Sequence, residues 1–185
     1  DDPEPTVVDG VARAFLDSGG DIKATLKALL MLPQVRQTLP LKLKRPNEFS
    51  AAMLRALEVE LGEYALDGHY QALVAGGQIP FSWPAPNGYP DERAYWQSTN
   101  GFLMRFNQAT ALPGRMASAS TLLQEVSRES GLDAQIDLLA RGLRPQGLSR
   151  DERRALERYS RRLPVSQRPA ALASWILGAP ESQWR

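Results

Sequence analysis

The sequence has no cysteine and a single histidine, His69. The missing cysteine excludes disulfides, thiolate catalysis and zinc–thiolate sites, and one histidine cannot build a multi-histidine metal site. Charges nearly balance at +1, so no global field favours a nucleic acid or a membrane. No apolar run approaches the roughly 20 residues of a membrane-spanning helix. We therefore expect no metal, no cofactor and no membrane span, and nucleic acid is a disfavoured partner.

Helical periodicity covers most of the 185 residues, and no segment alternates as a strand does. The sequence therefore predicts an all-α fold, an irregular multi-helix bundle in one domain over residues 1–185. A long aromatic and proline-rich loop is expected at residues 76–97. Helices are predicted over residues 6–17, 22–32, 46–61, 67–75, from 91 or 98 to a break at Pro113, and over 120–129, 133–143, 149–162 and 167–177.

Caps and buried faces are predicted for individual helices. Asp21 is expected to cap the second helix, whereas Ser149 with Glu152, and Thr6 with Asp9, have capping-box spacing. Gly62 is expected to end the third helix. The apolar positions predicted to face the core include Phe49, Met53, Leu54, Leu57, Leu61, Tyr70, Leu73, Val74, Leu156 and Tyr159.

The segment 76–108 is the most distinctive part of the chain, with seven of the fourteen aromatic residues and four of the fourteen prolines. Long ordered loops are often functional, so its rings and carboxylates are candidate binding residues. The aromatic rings either form a platform for a flat or apolar ligand such as a sugar, or they pack into the core as a plug. The plug is favoured because buried aromatic rings supply large contact area. The candidates are Trp83, Tyr89, Asp91, Glu92, Tyr95 and Trp96.

Asp91 and Glu92 also permit a catalytic interpretation, because glycoside hydrolysis uses two carboxylates across one bond. Adjacent residues at a helix start point in different directions, however, and negative charge there suits the helix dipole. We therefore favour a capping role. For His69, no local motif supports a catalytic triad, and a surface or helix-end histidine is the favoured interpretation.

Arginine is concentrated late in the chain, with nine arginines against three acids between residues 141 and 168. Arg150, Arg154 and Arg158 follow i, i+4 spacing and are the candidate anion-binding residues. Nearby acids at helix-pairing distances favour a solvated face instead. A second basic group, Lys42, Lys44 and Arg45, precedes the helix at Pro46, and its predicted anionic partner is Glu48.

Three segments resemble the C-terminal part of a bacterial family, domain of unknown function 1800. They are Lys44-Arg45-Pro46-Asn47-Glu48-Phe49, the run from Gly77-Gln78 through Asn87-Gly88-Tyr89-Pro90 to Asn107, and the ending Leu177 to Arg185. The resemblance implies a helical fold, export from the cell and an N-terminal helical half that this chain lacks. It supplies no catalytic residues, and no signal peptide is visible in this chain.

Together these observations favour a non-catalytic binding or assembly module of an exported protein. Its expected partner is the N-terminal half of the same protein, and a polymer or another protein is the alternative ligand. The competing hypothesis is part of an enzyme that acts on an extracellular or cell-envelope polymer such as a polysaccharide, with acid chemistry at Asp91 or Glu92.

Overall fold

The computed structural model describes residues 3–37, 42–59 and 62–184, without the side chains of residues 36, 37 and 63–65. The described residues form an all-α fold, as predicted. Their helices are α1 Pro5–Asp17, α2 Ile22–Met31, α3 Pro33–Gln37, α4 Pro46–Ala56, α5 Glu63–Ala75, α6 Arg93–Trp96, α7 Thr99–Arg115, α8 Thr121–Arg128, α9 Leu132–Leu143, α10 Arg150–Ser160 and α11 Arg168–Gly178. Short 3-10 helices follow at Val165–Gln167 and Pro180–Gln183. Leu61 and Arg185 lie outside the described residues.

The chain divides into an N-terminal unit, which ends at Lys42, and a main unit, Leu43–Trp184. Within the described ranges, no helix is both long and apolar enough to cross a bilayer. The single domain predicted over residues 1–185 stays a prediction.

The N-terminal unit is a pair of amphipathic helices, α1 and α2, followed by the short α3. The Asp21 carboxylate accepts the backbone N–H groups of Lys23 at 2.8 Å and Ala24 at 3.1 Å, which confirms the predicted cap. The capping box at Thr6 is wrong, because α1 begins one residue earlier at Pro5 and has no side-chain cap. Neither α1 nor α2 contains a buried residue.

The main unit has a continuous apolar core. Helix α7 packs most extensively along α11, which also contacts α9, α8 and α10. Helices α4, α8, α9 and α11 contribute buried side chains spaced three or four residues apart, as one face of an amphipathic helix requires. The largest fully buried side chains include Phe49, Met53, Leu57, Leu123, Ile136, Leu139, Leu156, Leu172 and Ile176. The predicted capping box at Ser149 and Glu152 is confirmed, with Ser149 N donating to Glu152 Oε2 at 2.7 Å.

Helix α4 ends at Ala56, five residues before the predicted end. Glu58 then adopts a left-handed φ of 51°, and Val59 pairs with Ser120 in an isolated bridge. The Ser120 hydroxyl donates to the carbonyl of Leu57 and thereby occupies a group that the helix end leaves open. Gly62 precedes α5 as its N-cap and does not terminate α4.

Predictions for α7, α5 and α10 are wrong at single positions. Pro113 does not break α7, which continues to Arg115, because the proline ring is buried in the core and its packing offsets the missing N–H bond. On α5, Leu73 is buried as predicted, whereas Tyr70 and Val74 are exposed. Tyr159 on α10 is also exposed, although its neighbour Leu156 is completely buried.

Candidate binding site

The start of α4 is held by side chains from distant parts of the main unit. Pro46 is the first residue of α4. Because backbone N–H groups at a helix start have no acceptor within the helix, those near Pro46 need acceptors from elsewhere. Glu48 accepts the Arg45 N–H at 3.0 Å, and Gln78 Oε1 accepts the Asn47 N–H at 2.9 Å. The Arg45 guanidinium pairs with Glu48 at 2.8 Å, which confirms Glu48 as its partner, and with Asp91 at 3.3 Å.

A second set of contacts joins α7 to the C-terminal segment. Arg105 on α7 donates from Nε to Gln183 Oε1 at 2.8 Å, and both terminal nitrogens lie 3.5 Å from the carbonyl of Trp96. Lys44 donates its backbone N–H to the carbonyl of Gln183, and its ammonium to the carbonyl of Ser182, both at 2.8 Å. These contacts connect residues 44–48, 78–105 and 182–183 into one polar frame.

A cavity of about 370 Å³ lies beside this frame, between α4, α5 and α7. Its polar wall contains a hydrogen-bonded chain of three side chains. Gln108 Nε2 donates to Ser50 Oγ at 2.6 Å, and Ser50 Oγ lies 2.7 Å from His69 Nδ1. The rest of the wall is mostly apolar, with Arg105 and Arg115 as its charged groups. The apolar lining is Pro46, Leu54, Ala72, Ala75, Met104, Ala111, Leu112 and Met116.

The Ser50–His69 contact resembles half of a catalytic triad, yet its geometry favours a structural role. Ser50 is completely buried, and its oxygen already accepts from Gln108. Nucleophilic serine chemistry requires a histidine that a carboxylate orients. In the described part of the chain, no carboxylate orients His69. Burial lowers the pKa of His69 below its ordinary value, so the ring is neutral at neutral pH. His69 is thus a half-buried wall residue and not a surface histidine.

The aromatic candidates pack against one another within the loop. Trp83 lies 4.9 Å from Tyr89 and 6.2 Å from Tyr95 between ring centroids, and Tyr95 lies 4.8 Å from Trp96. Trp96 is buried and donates to the Pro90 carbonyl, and Tyr89 donates to the Ile79 carbonyl, each at 2.8 Å. These contacts favour the plug for Trp96 and Tyr89, whereas Tyr95 keeps about half of its surface exposed.

Phe81 is the one ring of this loop that points fully into solvent. Its φ of 62° is left-handed, a conformation that a bulky side chain rarely adopts. The sequence predictions did not single out this residue. Asp91 and Glu92 are also exposed, and Asp91 is engaged by Arg45. Glu92 precedes α6 as its N-cap residue but makes no side-chain cap.

The arginines of α10 differ in their surroundings. Arg150 and Arg158 are exposed and form no ion pair with residues that the structure describes, while Arg154 lies 3.9 Å from Asp151. Two other arginines, Arg153 and Arg144, form closer ion pairs. Arg153 contacts Asp137 at 2.5 Å and Asp133 at 3.3 Å, and buried Arg144 contacts Glu152 at 2.7 Å. Burial would raise the pKa of Glu152, but hydrogen bonds from Ser149 and the Arg144 charge together lower it.

The helical fold, the polar frame and the adjoining cavity define an all-α protein without a recognisable catalytic centre among its described residues. The model of one family, described as "Protein of unknown function (DUF1800)", matches residues 1–184. The chain therefore belongs to this family. No curated protein and no solved structure matches the chain.

The frame explains part of the resemblance noted from the sequence. Its hydrogen-bonding residues come from the three segments that carry that resemblance, namely 44–49, 77–107 and 177–185. Sequence reasoning missed Arg105, Gln108 and Ser50 as wall residues. For Ser50 alone a signal was available, because it is a polar side chain at a core-facing helical position between Phe49 and Met53.

Proposed function

We propose that this chain is a non-catalytic binding and assembly module, and that its N-terminal unit packs against another helical segment of the same protein. One observation carries the proposal. Along α1 and α2, large apolar side chains are exposed and no side chain is buried. The exposed ones are Val8, Phe15, Leu16, Ile22, Leu26, Leu30 and Met31.

Exposing an apolar face of this kind to water is energetically unfavourable. Soluble monomers rarely expose contiguous apolar patches larger than a few hundred Å², and larger ones mark interaction sites. A two-helix unit is also too small to bury a core of its own. The family resemblance suggests a helical half before this chain, and that segment is the proposed occupant. Bacterial origin and export belong to the same proposal and rest on the resemblance alone.

Paired substitutions on α2 test this proposal in the longer protein. Leu26→Glu places a carboxylate on the apolar face, and Lys27→Glu places the same group on the adjacent exposed polar position. We expect Leu26→Glu to lower the melting temperature of the longer protein and to leave that of this chain nearly unchanged. Lys27→Glu should have little effect in either.

Two outcomes would contradict the proposal. Leu26→Glu could be harmless in the longer protein, which would mean that nothing covers this face. This chain alone could form a dimer in sedimentation that Leu26→Glu dissociates, which would make a second copy the occupant.

The enzyme hypothesis has less support. Asp91 is held by Arg45 at 3.3 Å, which suits the structural role of the polar frame. A polymer-degrading activity that Asp91→Asn abolished in a folded protein would favour the enzyme, and retained activity would remove Asp91 from any mechanism.

A further inference from the structure

We propose that the cavity between α4, α5 and α7 binds a small organic carboxylate, whose charge is neutralised by Arg105 and whose apolar body fills the space beside Met104 and Leu112. This site is separate from the proposed docking face on α1 and α2. The proposal rests on a buried cation that has no counter-ion among the described residues and on the composition of the adjoining wall.

Arg105 is a buried charge that no described carboxylate compensates. Only 3% of its surface is exposed. Its partners are two uncharged oxygens, Gln183 Oε1 at 2.8 Å and the Trp96 carbonyl at 3.5 Å, which is the outer limit of a hydrogen bond. None of the carboxylates that the structure describes forms an ion pair with it. Buried charges in proteins are normally paired, so an anion from outside the chain is expected here.

Arg105 belongs to the cavity wall and not to the outer surface of the protein. Arg105 lines the wall one turn after Gly101 on α7. A Cβ atom at Gly101, another residue of the wall, would lie 3.4 Å from Arg105 Nη1, so this nitrogen lies close to the cavity lining. Guanidinium N–H groups bind carboxylates in a paired geometry that a single backbone carbonyl cannot satisfy. Burial lowers the pKa of Arg105, but an arginine side chain keeps its proton near neutral pH.

The rest of the wall fits an anion with an apolar body. No acidic side chain lines the cavity among the described residues, and a second arginine, Arg115, also lines it. If the Ser50 hydroxyl donates to Nδ1, the neutral His69 ring carries its hydrogen on Nε2 and is a further donor. The volume of about 370 Å³ is at the lower end for small-molecule sites and suits a ligand of about ten heavy atoms.

Titration calorimetry with hexanoate tests the site, and hexanamide is the uncharged probe of the same shape. We expect hexanoate to bind saturably and at least about tenfold more tightly than hexanamide, because only the carboxylate neutralises Arg105. Acetate should bind more weakly than hexanoate, because it lacks the apolar body. No saturable hexanoate binding, or equal binding of hexanoate and hexanamide, would overturn the proposal.

Three variants locate the binding. Arg105→Met should abolish the preference for hexanoate over hexanamide. Because Arg105 also holds Gln183, Ala111→Phe is the second test, since it fills the cavity without replacing the guanidinium. Thr110→Ala is the control, an exposed residue of the same helix outside the cavity lining. Hexanoate binding that survives Ala111→Phe, or that is lost equally in Thr110→Ala, would place it elsewhere.

Discussion

The two units of this chain use the same kind of amphipathic helix with opposite results. In the main unit, α11 packs against α7 and α9, and Leu139, Leu172 and Ile176 are completely buried. In the N-terminal unit, α1 and α2 carry comparable apolar stripes, yet Leu16, Leu26 and Leu30 are more than half exposed. The comparison shows that an amphipathic stripe predicts a face that needs cover, and it does not identify what covers it.

The difference has an energetic consequence. Each fully buried leucine contributes about 1.5–3 kcal/mol relative to an exposed one. The main unit gains this term at many positions, whereas the N-terminal unit gains little of it from the described residues. We therefore expect the main unit to be stable by itself and α1 and α2 to depend on their neighbours.

The largest expected effect separates the two units directly. Leu139→Ala should lower the free energy of unfolding by about 4 kcal/mol, because it leaves a cavity in the core. Leu30→Ala, on the exposed face of α2, should change it by less than about 0.5 kcal/mol. Urea unfolding followed by circular dichroism measures both. Similar losses in the two variants would mean that this chain itself covers the α2 face.

The aromatic loop offers the same contrast at a smaller scale. Trp96→Ala should cost about 3 kcal/mol, because it removes a buried ring and the hydrogen bond to Pro90. Phe81→Asn should cost less than about 0.5 kcal/mol, because that ring is exposed and asparagine tolerates a left-handed backbone. Thermal unfolding is the measurement. An unchanged melting temperature in Trp96→Ala would contradict the structural plug.

The smallest expected effect is the pH response of His69. Burial lowers its pKa in the folded state, so below about pH 6.5 the unfolded chain binds more protons. The free energy of unfolding should therefore fall slightly as the pH drops from 7.5 to 5.5, and His69→Gln should reduce that fall. Urea unfolding at pH 7.5 and 5.5 compares the two proteins. An equal pH dependence in both would show that His69 is not buried from solvent as described.

Local sequence features predicted much of the fold and little of the candidate site. Asp21, Ser149 and Glu152 act within one helical turn, so their caps were readable from spacing alone. The end of α4 and the path of α7 through Pro113 depend on Ser120 and on the core, which are distant in sequence. The pairs Asn47–Gln78 and Arg105–Gln183 likewise join residues that are distant in sequence. Arg105 was therefore indistinguishable in sequence from a surface arginine.

Hydrogen exchange of this chain and of a longer protein that includes the proposed N-terminal half tests the account most directly. Amides of α1 and α2 should exchange in this chain with little protection, while those of α9 and α11 should be protected to near the global stability. In the longer protein, the protection of α1 and α2 should rise by at least about tenfold. If α1 and α2 were as protected as α9 in this chain as a monomer, the central claim of an uncovered docking face would be wrong.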